Sequence, residues 1–367
     1  MSSSRIRYRV LFAGGGTGGH LFPAIAVAEQ IKIMKPETEI LFIGTKSKIE
    51  GKVVPQLGYK FKSIWIKGFA RKFNFENLLF PLKLFVSVIQ SLVINMSFRP
   101  KVAVGSGGYV SGPAIFAASV MGAKIILLEQ NSYPGVTTRL LERYAEEVHI
   151  SFDDSRKYLR RKEIVKTTGN PVRMNLGKIS KPEALGKFGL SEEFKTLLVL
   201  GGSLGAESIN RAIEKNLKVL IENNIQVLWQ TGKNYYENFK HLNSDKVKVY
   251  EFIEDMNSAY SACDLLLARA GATTIAEILA LGLPAILVPS PNVAENHQYY
   301  NAKSLADKNA ALLIRDENIE RELFDTVKKL ISMPGDMKIL GENALGLAKP
   351  DAAKVIAQRA IKLMEIQ

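Results

Sequence analysis

The chain has 367 residues, enough for two domains that each bury a core. Hydrophobic residues make up 47% and charged residues 23%, a globular balance that excludes a disordered or fibrous chain. Lysine and arginine outnumber aspartate and glutamate by 13, at a pI near 9.5, which calls for an anionic partner such as a nucleotide, a nucleic acid or an acidic lipid surface.

The polar stretch Met1 to Arg7 leads directly into a first apolar run and reads as no secretory leader. That run (9–13) meets GGGTGGH at 14–20, followed by helical spacing: a strand, a tight turn and a helix N-terminus. Glycines let the backbone approach a ligand, and the unpaired N–H groups of a first helical turn attract an anion. Further apolar runs follow at 40–43, 102–104, 125–128, 148–150 and around Val165, separated by helical patterns. Between Lys83 and Arg99 no residue is charged, but Ser87, Gln90, Ser91 and Asn95 interrupt a stretch short of the ~20 residues of a membrane span, so a mostly buried helix is expected.

After Gly169-Asn170-Pro171 the cycle restarts, with runs at 196–200, 226–229, 247–252, 265–267, 285–288 and 311–314. The first of these runs meets another glycine-rich loop, GGSLGAES at 201–208. Continuous apolar runs, rather than alternation, are what parallel strands covered on both faces look like. The expected fold is therefore α/β, two doubly wound Rossmann-like domains: residues 1–172, residues 173–350, and a last helix within 351–367 that the sequence leaves free to pack on either.

Each loop raises a rival. The first fits G-x-G-x-x-G, but a dinucleotide oxidoreductase needs a carboxylate at the end of its second strand, and that strand ends Gly44-Thr45-Lys46. The second fits G-x-S-x-G, with Asp264 and His297 in the chain order of an α/β-hydrolase, yet Asp264 precedes its strand and the duplicated loop goes unexplained. The four histidines are scattered, Cys263 is the single cysteine, which suits a reducing compartment, and Asp153-Asp154 are better helix-capping or solvated residues than metal ligands. Neither a metal nor a cofactor is expected. A more specific stretch is 269–277, RAGATTIAE: Thr273 and Thr274 fall in a first helical turn where a phosphate can sit, and Glu277 lies one turn on, where a carboxylate can hold a ribose diol.

With AGGGTGGHLFPAIAVA, GSGGYVSGP (105–113), LLEQNSYPG (127–135), GNPVR (169–173), GGSLGA and EFIEDM (251–256), the chain closely resembles the MurG family from about residue 8 onward. These inverting bacterial transferases move N-acetylglucosamine from UDP-N-acetylglucosamine to lipid I, the undecaprenyl-pyrophosphoryl-N-acetylmuramoyl-pentapeptide, in peptidoglycan synthesis. The resemblance implies a GT-B fold with the site in the interdomain cleft and the last helix crossing back onto the first domain. By motif, the donor site takes Thr17, Gly18, Gly19, Asn131, Arg173 and Ser203, with Ile253 against uracil through its backbone. Ala272, Thr273, Thr274, Ile275, Ala276 and Glu277 hold diphosphate and ribose, and Gln298 touches the sugar. Tyr109 and Glu129 line the acceptor side. Residues 290–295 match no motif of the family.

His20 is the candidate general base for the acceptor's C4 hydroxyl, with Glu129 in reserve. Trp65, Ile66, Phe69, Phe73, Phe75, Leu78, Leu79, Phe80 and Leu82 are interspersed with Lys67, Arg71, Lys72 and Lys83, a mixture suited to the surface of an anionic membrane. The partners implied are UDP-N-acetylglucosamine, lipid I, the cytoplasmic face of the cell membrane as a peripheral site, and cell-wall synthesis or division proteins; nucleic acid is not among them. A UDP-N-acetylglucosamine 2-epimerase, another UDP-sugar transferase and a non-catalytic nucleotide-sugar sensor are the alternatives.

Overall fold

The structure, a computed structural model, describes residues 8–68, 79–172, 176–177, 179–202, 204–293 and 296–366. The chain divides into two compact units, residues 1–173 with 349–367, and residues 174–348.

The first unit holds β1 (Arg9–Gly14), β2 (Glu39–Gly44), β3 (Lys60–Ser63), β4 (Val102–Gly107), β5 (Lys124–Glu129), β6 (Glu147–Ile150) and β7 (Val165–Thr167). They form one parallel sheet in the order β3-β2-β1-β4-β5-β6-β7. Both faces are covered, so every strand residue needs an apolar layer: Val10 and Phe12 enter one core, Leu11 and Ala13 the other. The sequence patterns missed β3, because this KFKS edge strand is largely exposed and carries lysines, a usual protection of a sheet edge.

The last helix, Ala352–Glu365, packs on this unit, with Ile356, Ala357, Ala360 and Met364 in the core beside the helix Gly18–Met34. A buried carboxylate fixes it there. Glu147 accepts bonds from Arg359 Nε (2.8 and 3.1 Å) and NH2, from Lys166 Nζ (2.7 Å) and from His149 Nε2 (3.1 Å). Burial alone would raise the Glu147 carboxyl, but the bonds from His149, Arg359 and Lys166 outweigh it and hold it far below the usual carboxylate range.

The second unit holds β8 (Lys195–Leu200), β9 (Ile225–Gln230), β10 (Val247–Tyr250), β11 (Leu265–Ala268), β12 (Ala285–Leu287) and β13 (Leu312–Leu313). They form a parallel sheet in the order β10-β9-β8-β11-β12-β13. The first six strands of the other sheet repeat this order.

The uncharged stretch behaves differently from expectation. It belongs to a helix of 19 residues, Phe80–Phe98, long and apolar enough by length and composition to cross a membrane, and it is not mostly buried. Only Ser87, Ser91 and Asn95 are buried, on the face toward the helix Ser111–Val120. Each donates to a preceding carbonyl: Ser87 Oγ to Leu84 O, Ser91 Oγ to Ser87 O (both 2.7 Å) and Asn95 Nδ2 to Ser91 O (2.8 Å), while Asn95 Oδ1 is buried with no partner among the described residues. Polar groups that close their bonds within their own helix can be buried cheaply, and their small size lets the two helices approach. Ile94 and Phe98 pack against the core, but other apolar side chains face outward, among them Leu82, Phe85 (64% exposed), Ile89, Val93 (60%) and Met96.

Candidate active site

Both sheets reverse their strand order at one point, between β1 and β4 and between β8 and β11. In doubly wound sheets, ligands bind at the carboxyl ends of the strands beside such switch points. The loops that leave those ends here are 14–20, 107–111, 201–206 and 269–274.

In the first unit, Thr17 is the N-cap of the helix Gly18–Met34 without a side-chain cap bond, so Gly18 and Gly19 open the helix as bare backbone. His20 Nδ1 lies 3.0 Å from Ser106 O and 3.1 Å from Gln130 Oε1. A main-chain carbonyl only accepts, so Nδ1 carries the proton and Nε2 of the neutral ring keeps its lone pair. The GSGG motif makes this possible: Gly107 has φ +97°, and a Cβ there would stand 2.7 Å from His20 Nδ1. Ser111 Oγ donates to Ala13 O (2.5 Å) and accepts from Gly107 N (3.1 Å), tying the end of β1 to the end of β4.

Two carboxylates support this site as scaffold. Glu129 is buried, its Oε1 accepting from Asn131 N (3.0 Å) and its Oε2 from Gly135 N (2.9 Å), so it shapes the EQN loop. Glu50, which the sequence patterns did not single out, is 1% exposed and accepts from Gly16 N (2.9 Å) and Thr45 N (3.0 Å). It stands near the place where an oxidoreductase keeps its ribose carboxylate, but its oxygens are committed to the loop. Tyr109 lays its ring beside Gly16, and burial pushes its hydroxyl above the usual tyrosine pKa.

In the second unit, the helix Ala272–Leu281 starts at Gly271, again without a side-chain cap, and the Thr273 hydroxyl is buried with no partner among the described residues. Ala272 and Ile275 turn into the core, while Thr274, Ala276 and Glu277 are half-buried. Glu277 Oε2 accepts from Tyr260 Oη at 2.7 Å, a contact that no motif announced because Tyr260 comes from another helix. Arg269 is locked to Asp316 and to Ser208 Oγ (2.9 Å), bracing the end of β11 against the helix after the second loop. Asn301 Nδ2 donates to Ala270 O (3.3 Å), and Gln298 Oε1 accepts from Ser290 N (2.9 Å). Ile253 N already donates to Gln230 Oε1 at 2.9 Å.

Arg173 and Ser203 lie outside the described residues, as do Phe69, Arg71, Lys72, Phe73, Phe75 and Leu78 of the expected membrane face. Within that face, Trp65 is exposed with Lys83 Nζ 5.7 Å from its ring centroid, whereas Ile66 belongs to the core. The hydrolase alternative fails on topology. Asp264 accepts from Lys181 (2.6 Å), Lys195 (3.3 Å) and Thr196 N (2.8 Å) at the amino ends of β8 and β11, roughly 15–20 Å of strand away from the loop that follows β8.

Residues 10–150 match the glycosyltransferase family 28 N-terminal domain, and residues 196–362 the glycosyltransferase family 28 C-terminal domain. A relative from Cytophaga hutchinsonii, 42% identical over 97% of each chain, is named UDP-N-acetylglucosamine–N-acetylmuramyl-(pentapeptide) pyrophosphoryl-undecaprenol N-acetylglucosamine transferase. One of the same name from Bacteroides thetaiotaomicron is 43% identical over 98% of each chain. The crystal structure of MurG from Acinetobacter baumannii is similar with a TM-score of 0.76 at 26% identity, over 97% of this chain and 99% of that one. A UDP-N-acetylglucosamine 2-epimerase structure from Listeria monocytogenes, described as putative in name, has a TM-score of 0.70 at 11% identity over 95% of this chain and 94% of its own, and shares the fold alone. The chain therefore belongs to the MurG family of N-acetylglucosamine transferases, within glycosyltransferase family 28.

Proposed function

We propose that this transferase moves N-acetylglucosamine from UDP-N-acetylglucosamine to the C4 hydroxyl of the N-acetylmuramoyl unit of lipid I, forming a β-1,4 link with inversion at the anomeric carbon. The observation that carries this is the near-full-length match to transferases of that name, with Gly18, Gly19 and His20 on a switch-point loop of the first sheet and Thr273 and Thr274 on one of the second.

His20 Nε2 takes the proton of the acceptor hydroxyl as its oxygen attacks the anomeric carbon and the bond to UDP breaks. The proton on Nδ1 stays with Ser106 O, which steadies the imidazolium that forms. Negative charge grows on the leaving diphosphate, and the uncapped N–H groups of the helix Ala272–Leu281, with the Thr273 and Thr274 hydroxyls, stabilise it. Glu277, oriented by Tyr260, accepts the ribose hydroxyls. Glu129 serves the loop and leaves the base to His20.

The outward stripe Leu82, Phe85, Ile89, Val93 and Met96, with Trp65 and Lys83 nearby, supports peripheral contact with an anionic membrane surface, where the lipid acceptor resides. The buried polar face of the same helix belongs to the folded unit, which favours lying in the interface over spanning the bilayer.

Incubation with labelled UDP-N-acetylglucosamine and a lipid I analogue, followed by linkage analysis, tests the proposal. A β-1,4 disaccharide product is expected. Formation of UDP-N-acetylmannosamine without transfer would assign the epimerase reaction instead, and binding without turnover a sensor.

A further inference from the structure

Gln230 is the last residue of β9, the strand that lies between β8 and β10. The two loops that leave its neighbours are the second glycine loop after β8 and the 251–256 loop after β10. Its side chain is 4% exposed and touches both. Oε1 accepts from Ile253 N at 2.9 Å, and Nε2 donates to Gly202 O at 3.2 Å. A carboxamide suits this task because it offers an acceptor at one corner and a donor at the other.

The backbone that follows Gln230 supports the same two loops. Thr231 N donates to Tyr250 O (2.9 Å) and Gly232 N to Glu251 O (3.1 Å) on one side. On the other, Gly232 has φ +84° and lies so close that a Cβ there would come within 2.1 Å of Gly205 N. Gly202 O also accepts from Gly205 N (3.1 Å), so the Gln230 bond helps set the direction of the peptide that shapes the loop.

We propose that Gln230 is a positioning residue that couples the diphosphate subsite to the base subsite of the nucleotide, through one buried amide shared between the two loops. It touches no substrate; it holds Gly202 and Ile253 in one register, so that a ligand seated on one loop finds the other already in place. This rests on the proposed function and on the family motifs that put the second glycine loop, an anion-binding turn by its sequence, in the donor site and Ile253 against uracil.

The test measures dissociation constants of UDP, UMP and CDP by calorimetry for the full chain, for Gln230→Met and for Gln230→Glu, at pH 8.5 to keep the new carboxyl ionised. Methionine removes both bonds, and the advantages of UDP over UMP and of UDP over CDP should each fall about tenfold, the size of one good hydrogen bond. Glutamate keeps an acceptor for Ile253 N but sets a carboxylate oxygen against Gly202 O. Its UDP-to-UMP advantage should fall likewise, while its UDP-to-CDP advantage stays within about twofold, since the base loop keeps its bond. Equal weakening of all three nucleotides in both variants, or no weakening, would overturn the coupling. If the unsubstituted chain itself prefers UDP to neither UMP nor CDP, the assignment of the loops has failed before the question of Gln230 arises. Thermal unfolding without ligand identifies any loss of fold in Gln230→Met, in which case Gln230→Glu decides.

Discussion

His20→Asn separates the chemical role of His20 from its structural one. The asparagine amide nitrogen falls near the position of Nδ1 and can still donate to Ser106 O, so the bond that organises the loop survives while the lone pair of Nε2 is lost. Loss of a general base lowers turnover by about 10²- to 10⁴-fold, equivalent to ~3–5.5 kcal/mol of barrier. Losing the Ser106 bond altogether, as in His20→Ala, would cost only ~1 kcal/mol of stability, a shift of about 2–4 °C in a unit of this size. Steady-state kinetics, UDP titration and thermal unfolding should therefore diverge: kcat collapses in His20→Asn, while UDP affinity and Tm stay close to the original. An asparagine variant that keeps more than about a tenth of its turnover would place the base elsewhere. A parallel collapse of UDP affinity would make His20 a loop organiser.

Glu277→Ala should weaken UDP-N-acetylglucosamine binding by ~1–3 kcal/mol, and Tyr260→Phe, which removes one bond to the carboxylate, by ~0.5–1.5 kcal/mol; unchanged affinity in both would remove the pair from the site. Phe85→Ser, Ile89→Ser and Val93→Ser together should reduce co-sedimentation with anionic vesicles and activity on a long-chain acceptor while sparing a short soluble analogue, and equal loss on the two acceptors would mean the fold of the first unit was damaged instead. Arg359→Met should destabilise the chain at neutral pH by about 2–3 kcal/mol, below the ~3–5 of a broken buried pair because Lys166 still reaches Glu147. Since Glu147 is held below its unfolded pKa of about 4.3, its contribution is present above that pH and is lost as the pH falls further. The gap between Arg359→Met and the parent should therefore narrow as the pH falls from about 4 toward 2 in urea unfolding, and a gap constant from pH 7 to about 2 would contradict the role given to Glu147.

The sequence by itself determined the local elements and the loop chemistry. Continuous apolar runs specify strands covered on both faces, which is why nearly all of the parallel framework was legible. Glycines at Gly16, Gly107 and Gly202 specify backbone conformations that few other residues adopt, so the loops at the switch points announced themselves. The edge strand Lys60–Ser63 was illegible because an edge needs no apolar run. Tertiary structure alone decided the rest. The helix Phe80–Phe98 turned its serines inward, because side chains that bond to their own helix carry no need for outside partners, and periodicity cannot show which face meets a neighbour. Glu50 and Gln230 sit far in sequence from the loops they hold, and Tyr260 comes to Glu277 from another helix. Such contacts arise when separate strands and helices are packed side by side; a carboxylate or amide carries no local mark of the backbone groups it will meet there. The return of the last helix to the first unit has the same cause, the meeting of Arg359 with a buried Glu147 across 212 residues of chain.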